Sequence, residues 1–223
     1  MKYARTNINF SFVLASRNRP LHLKHSISCI YDNAQFPDNV EILIRFDDDN
    51  QLSLDFYKTD DIFRKYKNIR VFVGPRLGWA HNRTIYTRLC TMTKGDFIFH
   101  WADDNYMFKK DWDAFLLQFK GQTAVIGYRS RCVITRQAYD KYQYIRECGM
   151  GHIVGGFLYD AQIKRCAARD QIYIGIEKLW HTKKNMKDTT RMDGAYGGWV
   201  LNDLSLLDVP DREITIVTSA DSI

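Results

Sequence analysis

Between residues 10 and 128 the chain alternates short apolar runs with segments of helical period, and this alternation constrains the fold more than any other feature. FSFVLAS (10–16), VEILIRF (40–46), IRVFVG (69–74), DFIFHW (96–101) and TAVIGY (123–128) read as strands. After the first, Pro20 suits an opening helical turn, and Leu23, Ile27 and Ile30 recur at helical spacing. LDFYKTDDIFRKY (54–66) and WAHNRTIYTRLCTMT (79–93) read as helices, the second with Trp79, Ile85 and Leu89 inward. Asp111 is the expected cap of a helix through DAFLLQF (113–119). Strands alternating with helices imply an open, mostly parallel sheet covered on both faces, an α/β/α sandwich. Beyond residue 129 the periodicity weakens; HIVGGFLY (152–159) reads as a strand, AQIKRCA (161–167) and IEKLWHTKK (176–184) as short helices.

Composition closes off several classes. With 45% apolar and 14% aromatic residues, the chain can bury a sizeable core. Its apolar runs are too short to span a bilayer, and MKYARTNINF lacks a secretory signal's apolar stretch, so a soluble, cytoplasmic protein is expected. Cys29, Cys90, Cys132, Cys148 and Cys166 are widely spaced with no C-x-x-C pair, which argues against structural zinc and a disulfide framework. The net charge of +6 favours anionic partners such as nucleotide phosphates or nucleic acid. No G-x-G-x-x-G follows a strand, GPRLGW is not a P-loop, and neither H-E-x-x-H nor G-x-S-x-G occurs.

The polar residues collect at strand ends. The first strand ends in Ser16-Arg17-Asn18-Arg19, the second in Asp47-Asp48-Asp49-Asn50, the fourth in Asp103-Asp104-Asn105. In a parallel sheet these ends share one edge, where ligands bind at the reversal of strand order. Each cluster alone is ordinarily a helix cap or turn. Two multiply acidic clusters on one edge point further: adjacent carboxylates repel, and a hard cation such as Mg2+ or Mn2+ relieves the repulsion while sharing its coordination with phosphates.

These segments, in this order, resemble glycosyltransferase family 2 and the wider class of nucleotide-sugar transferases with the GT-A fold. FVLASRNRP resembles the opening strand and turn of that family, and ILIRFDDDN its strand ending in paired Asp. GWAHNRTIYTRLCTMTKGDFIFHWADDN resembles its G-x-x-x-x-R-N helix followed by the strand that carries D-x-D. IVGGFLYDAQIKR and YIGIEKLWHTKK resemble its later G-G and E-D segments. The resemblance implies a single GT-A-like domain over 1–223, with a nucleotide-binding half (1–128) and an acceptor-binding half (129–223).

It also implies roles. Ala15, Ser16 and Asn18 would line the nucleotide pocket, Asp47 or Asp48 would bond the base or ribose, and Arg83 would help hold that pocket. Asp103 and Asp104 would bind Mn2+ or Mg2+, and Gly155 and Gly156 would let the backbone approach the sugars. Glu177 would be the base that takes the acceptor's proton in an inverting displacement. The implied partners are a nucleoside-diphosphate sugar and an acceptor hydroxyl on an unspecified glycan, lipid, protein or modified nucleic acid.

Two positions depart from the pattern: Trp101 stands where the first Asp of D-x-D belongs, and Lys178 where the second acid of E-D belongs. A catalytically degenerate nucleotide- or sugar-binding module is therefore the alternative, with a nucleotidyltransferase or metal-dependent nuclease behind it. Other polar and aromatic residues have plain structural readings beside functional ones. His152 and His181 are extra metal-ligand candidates, and His100 reads as structural. Arg129 and Arg131 face either acceptor or solvent, and the run Lys183, Lys184, Lys187, Arg191 either phosphate or solvent. Trp79, Trp101 and Trp112 are candidates for stacking on a sugar, Trp79 and Trp112 equally for the core.

Overall fold

The computed structural model describes residues 7–78, 81–128, 131–142, 157–182 and 204–215. Strands β1 (Phe10–Ala15), β2 (Val40–Asp47), β3 (Ile69–Gly74) and β4 (Phe97–His100) form a parallel block in the order β3-β2-β1-β4. Helices α1 (Pro20–Asp32), α2 (Gln51–Thr59), α3 (Ile62–Lys65) and α4 (Asn82–Thr91) connect them. Strand order reverses at β1, because the chain builds outward through β2 and β3 and then returns to place β4 on β1's other side. That is the crevice where open α/β sheets take ligands.

The rest of the sheet is mixed. After the short β5 (Asn105–Met107) and α5 (Trp112–Leu117), strand β6 (Val125–Tyr128) turns back into β7 (Arg131–Thr135), which lies antiparallel to both β6 and β4. Helices α6 (Arg136–Tyr142) and α7 (Phe157–Arg169) follow. Strand β8 (Tyr173–Gly175) adds parallel to β6, β9 (Trp180–Thr182) pairs with β5 as a separate ribbon, and β10 (Arg212–Ile214) closes the far edge antiparallel to β3. The eight-stranded order is β10-β3-β2-β1-β4-β7-β6-β8.

Period-two alternation on β1 divides the core between two faces. Phe10, Phe12 and Leu14 pack with Leu23, Ile27 and Ile30 of α1, and with Trp112 of α5. Val13, on the other face, packs with Ile85 and Leu89 of α4 and with Ile163 and Ala167 of α7. Phe12 stacks on Phe99 with ring centres 4.1 Å apart, across the β1–β4 seam.

Five local expectations are corrected. The helix expected over 54–66 breaks at Asp60 into α2 and α3, because Asp60 is extended and its side chain accepts from the Ile62 N–H. Asp111 precedes α5 in a left-handed conformation (φ 53°) and forms no side-chain cap; Asp113 instead accepts from the N–H groups of Gln35 and Phe36. Phe157 to Tyr159, the end of the strand expected at 152–159, open α7, a helix that extends well beyond the short one expected at 161–167. The segment expected as a helix over 176–184 contributes β9, because Trp180–Thr182 find hydrogen-bonding partners in β5. Trp101 is fully buried, so it is no sugar platform: its indole N–H donates to Ser26 Oγ (2.8 Å) and its ring meets Phe12 edge-on. Trp112 is likewise core, while Trp79 lies outside the described residues. No helix among the described residues is long and apolar enough to cross a membrane.

Candidate functional site

The site is built from the turn after β1. Asn18 takes a left-handed conformation (φ 54°), which asparagine adopts more readily than most residues. Pro20 then fixes the first position of α1. Between these points the turn sends polar side chains toward both neighbouring strands. Ser16, buried, donates its hydroxyl to Asp103 Oδ2 at 2.7 Å, beyond the end of β4. Arg19 lies 2.5 Å from Asp103 Oδ1 through Nη2 and reaches Asp104 Oδ2 at 3.4 Å through Nη1. On the other side, Arg17 bonds Asp47 Oδ2 at 3.2 Å, at the end of β2, and also grips Asp49 through both guanidinium nitrogens. The acidic ends of β2 and β4 thus flank β1 on one edge, joined by its turn.

Burial separates these carboxylates. Asp103 is 1% exposed and Asp104 17%. A buried carboxylate has to be offset by hydrogen bonds and positive charge, and Ser16 and Arg19 supply them. Asp47 is held from behind by Arg45, a fully buried arginine of β2 that also donates to the Pro75 carbonyl. Burial pushes the Asp47 carboxyl above its ordinary value, against the pull of Arg45 and Arg17. Asp48 and Asp49 are exposed, and Asn50 caps α2 by accepting from the Ser53 N–H.

Arg45 is anchored in turn by Asp211, just before β10, at 3.3 Å from Nε; Arg88 of α4 reaches the same carboxylate oxygen at 3.4 Å. A Cβ placed on Gly74 would overlap the Asp211 carboxylate. Gly74→Ala is therefore expected to cost about 1–3 kcal/mol in urea unfolding, because Asp211 has to leave the buried guanidinium. An unchanged unfolding midpoint would remove this support for Asp47.

Ser16, Asp47 and Asp103 are brought together, with Ala15, Asn18, Asp48 and Asp104 beside them on the same edge. The backbone of Arg83 lies in the first turn of α4. Glu177 is exposed, bonded to Lys109 at 2.6 Å, beyond the far end of the β5–β9 ribbon. The register sets Thr182 beside Asn105, so roughly 10 Å of extended chain separates Glu177's end of the ribbon from Asp104. His100 sits against the Tyr86 ring, while the backbone of His181 pairs with Tyr106 and that of Arg131 with Tyr128. Gly155, Gly156, His152, Arg129 and the basic run 183–191 lie outside the described residues. Sequence reasoning assigned no role to Arg17, Arg19, Arg45 or Asp211. For the first two the signal was present: a basic turn facing acidic strand ends.

The donor atoms around Asp103 are oxygens, the type hard divalent cations select. The pair already accepts a cationic guanidinium across both carboxylates, so its charge fits a metal ion. Among the described residues no group of three or more His, Cys, Asp or Glu gathers for a metal. A divalent ion here would take its remaining ligands from substrate phosphates and water, as Mg2+ commonly does.

Comparison with known proteins bears on the fold. No protein-family model matches the chain, and no curated protein matches it in sequence. Solved structures do match. One is S. aureus TarS 1–349, at TM-score 0.56 and 12% identity over 79% of this chain and 60% of that one. The chain has a GT-A-like fold. The same S. aureus protein in complex with UDP-GlcNAc matches at TM-score 0.54 and 14% identity, covering 81% of this chain and 60% of that one. A mannosyltransferase, PcManGT from Pyrobaculum calidifontis, in complex with GDP-Man and Mn2+, matches at TM-score 0.55 and 12% identity, covering 75% of this chain and 54% of that one. This chain therefore spans less than two thirds of each of these GT-A-like neighbours.

Proposed function

We propose that this chain is a glycosyltransferase that moves a sugar from a nucleoside-diphosphate sugar to an acceptor hydroxyl, with a divalent cation at Asp103 and Asp104. The observation that carries the reading is the β1 turn, which ties the acidic ends of β2 and β4 together at the reversal of strand order. Neighbours of the same fold bound to UDP-GlcNAc and to GDP-Man with Mn2+ support it.

In this reading Ala15, Ser16 and Asn18 line the nucleotide pocket, and Asp47, stiffened by Arg45, accepts from the base or ribose, with Asp48 beside it and Arg83 supporting the wall. Gly155 and Gly156 are assigned to the sugar-facing backbone. Asp103 and Asp104 would hold the cation, whose chemistry is to offset negative charge on the leaving diphosphate. Ser16 keeps the Asp103 carboxylate in one orientation through its hydroxyl. Arg17 and Arg19, with planar forked guanidinium groups, match phosphate oxygens as they match carboxylates. The reaction runs as a single displacement with inversion, the acceptor's proton passing to a carboxylate. Glu177 is the residue proposed for that step; its ion pair with Lys109 has to open and the loop has to carry it inward. Catalytic contacts often tighten only in the substrate complex.

Thermal unfolding against UDP, GDP and their sugars, with and without Mn2+, tests the reading. A matching nucleotide with Mn2+ at a hundredfold excess over Kd is expected to raise Tm by about 5–10 °C, since a ligand specific to the native state stabilises it. No shift with any nucleoside diphosphate would end the proposal. The second reading, a binding module without turnover, is favoured by Trp101 filling the core where the family pattern has a metal ligand. Release of free sugar from a bound nucleotide sugar separates the two, since a pure binding module releases none.

A further inference from the structure

Asp211 stands one residue before β10, in the half of the chain that the family resemblance assigns to the acceptor, yet its carboxylate lies behind Asp47. Its Oδ1 meets Nε of Arg45 at 3.3 Å and Nη1 of Arg88 at 3.4 Å. Arg45 and Asp47 are two apart on β2 and so project from the same face. The other two nitrogens of that guanidinium are engaged as well: Nη1 donates to Asp47 Oδ1, and Nη2 to the Pro75 carbonyl. Three acceptors on three separate segments therefore fix one planar fork. The Arg45 and Asp211 side chains are 1% and 2% exposed, so bulk water does not replace a partner that is removed. The Asp47 oxygen left toward the crevice is Oδ2, which Arg17 of the β1 turn also meets.

The Asp211 carboxylate is not what seats its segment. Arg212–Ile214 pair antiparallel with β3, Arg70 forks onto Glu213 at 2.9 and 2.8 Å, and the Tyr57 hydroxyl donates to the Ile214 carbonyl at 3.0 Å. Upstream, Leu206 and Leu207 pack against the core face that holds Val13 and Leu89, and Arg88 donates to the Leu207 carbonyl. These contacts dock the segment, and the acid within it bears on the Arg45 fork.

We propose that Asp211 is a positioning residue of the nucleotide site: it fixes the Arg45 guanidinium, which holds Asp47 Oδ1 and so turns Oδ2 toward the donor's base or ribose. The inference rests on the transferase reading above, in which Asp47 accepts from the nucleoside, and extends it across the chain. A residue 166 positions beyond Arg45 then belongs to donor binding. The dependence runs through Arg45, so Asp211 has no influence on nucleotide affinity once that arginine is gone.

The test is calorimetric titration of UDP and of GDP, each with Mn2+, into the intact protein, Asp211→Ala, Arg45→Met and the double variant. For the nucleotide that binds, Asp211→Ala and Arg45→Met are each expected to weaken affinity at least about fivefold, the low end of ordinary coupling between sites. The double variant is expected to lose no more than Arg45→Met alone, because the two residues act as one unit. It also leaves neither member of the pair as an uncompensated buried charge. Asp211→Asn keeps an acceptor oxygen for Nε and is expected to bind more tightly than Asp211→Ala. If the alanine variant does not fold, the cycle is run with asparagine, whose loss of about twofold or more has to vanish in the Arg45→Met background.

Full affinity in Asp211→Ala overturns the positioning role. So does a loss of equal size with and without Arg45, since the acid would then act by another route. In either case the transferase reading stands without it. If neither nucleotide binds the unaltered protein, the transferase reading falls first and takes this inference with it.

Discussion

Asp103→Asn is expected to lower turnover of a nucleotide sugar by about 10²–10³-fold, the usual loss when one preorganised electrostatic group is removed from an active site. The substitution keeps the size of the side chain and its contact with Ser16, and removes only the charge. Three consequences follow from the position of Asp103. Its partner Arg19 keeps a carboxylate in Asp104, so the fold loses one buried ion pair and little else. On the proposed reading a cation loses its more buried ligand, so any rise in Tm that Mn2+ adds to nucleotide is expected to disappear. Binding of the nucleoside portion, which the proposed reading assigns to Asp47, survives in reduced form. Asp104→Asn, at a more exposed carboxylate, is expected to do less. Release of free sugar and the Mn2+-dependent part of the Tm shift are the two measurements. If Asp103→Asn retains full turnover, or if Asp104→Asn is the more damaging, the cation is held elsewhere.

The strands of the parallel block were legible because each is a buried apolar run long enough to show against its neighbours. Their order was not written in any one run, yet the polar clusters after β1, β2 and β4 pointed to a shared edge, and Ser16, Asp47 and Asp103 do share it. What the sequence hid is non-local. Strand β7 is five residues with a charged start, and it is a strand because β4 and β6 flank it. Strand β9 has helical spacing on paper, but β5 satisfies its backbone. The arginines were hidden differently. In FVLASRNRP they look like ordinary turn residues, and only the fold shows that Arg17 faces Asp47 while Arg19 faces Asp103. Asp211 supports Arg45 from 166 positions away, a pairing no local pattern encodes.

Trp101→Ala is expected to destabilise the protein by about 3–5 kcal/mol, the range for deleting a buried aromatic ring. For a chain of this length that lowers Tm by roughly 6–20 °C. The indole is fully buried among Phe12, Phe99 and Trp180, its N–H bonds Ser26, and its carbonyl accepts from the Tyr86 hydroxyl at 2.9 Å. Trp101→Phe should cost less, since it keeps an aromatic body and gives up the Ser26 bond. Trp101→Asp is the sharper probe, because it restores the acid that the resemblance to D-x-D leaves missing. Were this position a lapsed metal ligand, the new carboxylate would point toward Asp103 and tighten Mn2+ binding. The side chain instead points into the aromatic core, where an aspartate leaves a cavity and sets a charge among the rings of Phe12, Phe99 and Trp180. Trp101→Asp is thus expected to destabilise at least as much as Trp101→Ala and to leave Mn2+ affinity no higher. A folded aspartate variant with stronger Mn2+ binding would show that the tryptophan displaced a ligand. Otherwise Trp101 is a packing residue, and on the proposed reading a cation has only the two carboxylates that follow it, Asp103 and Asp104, to draw on.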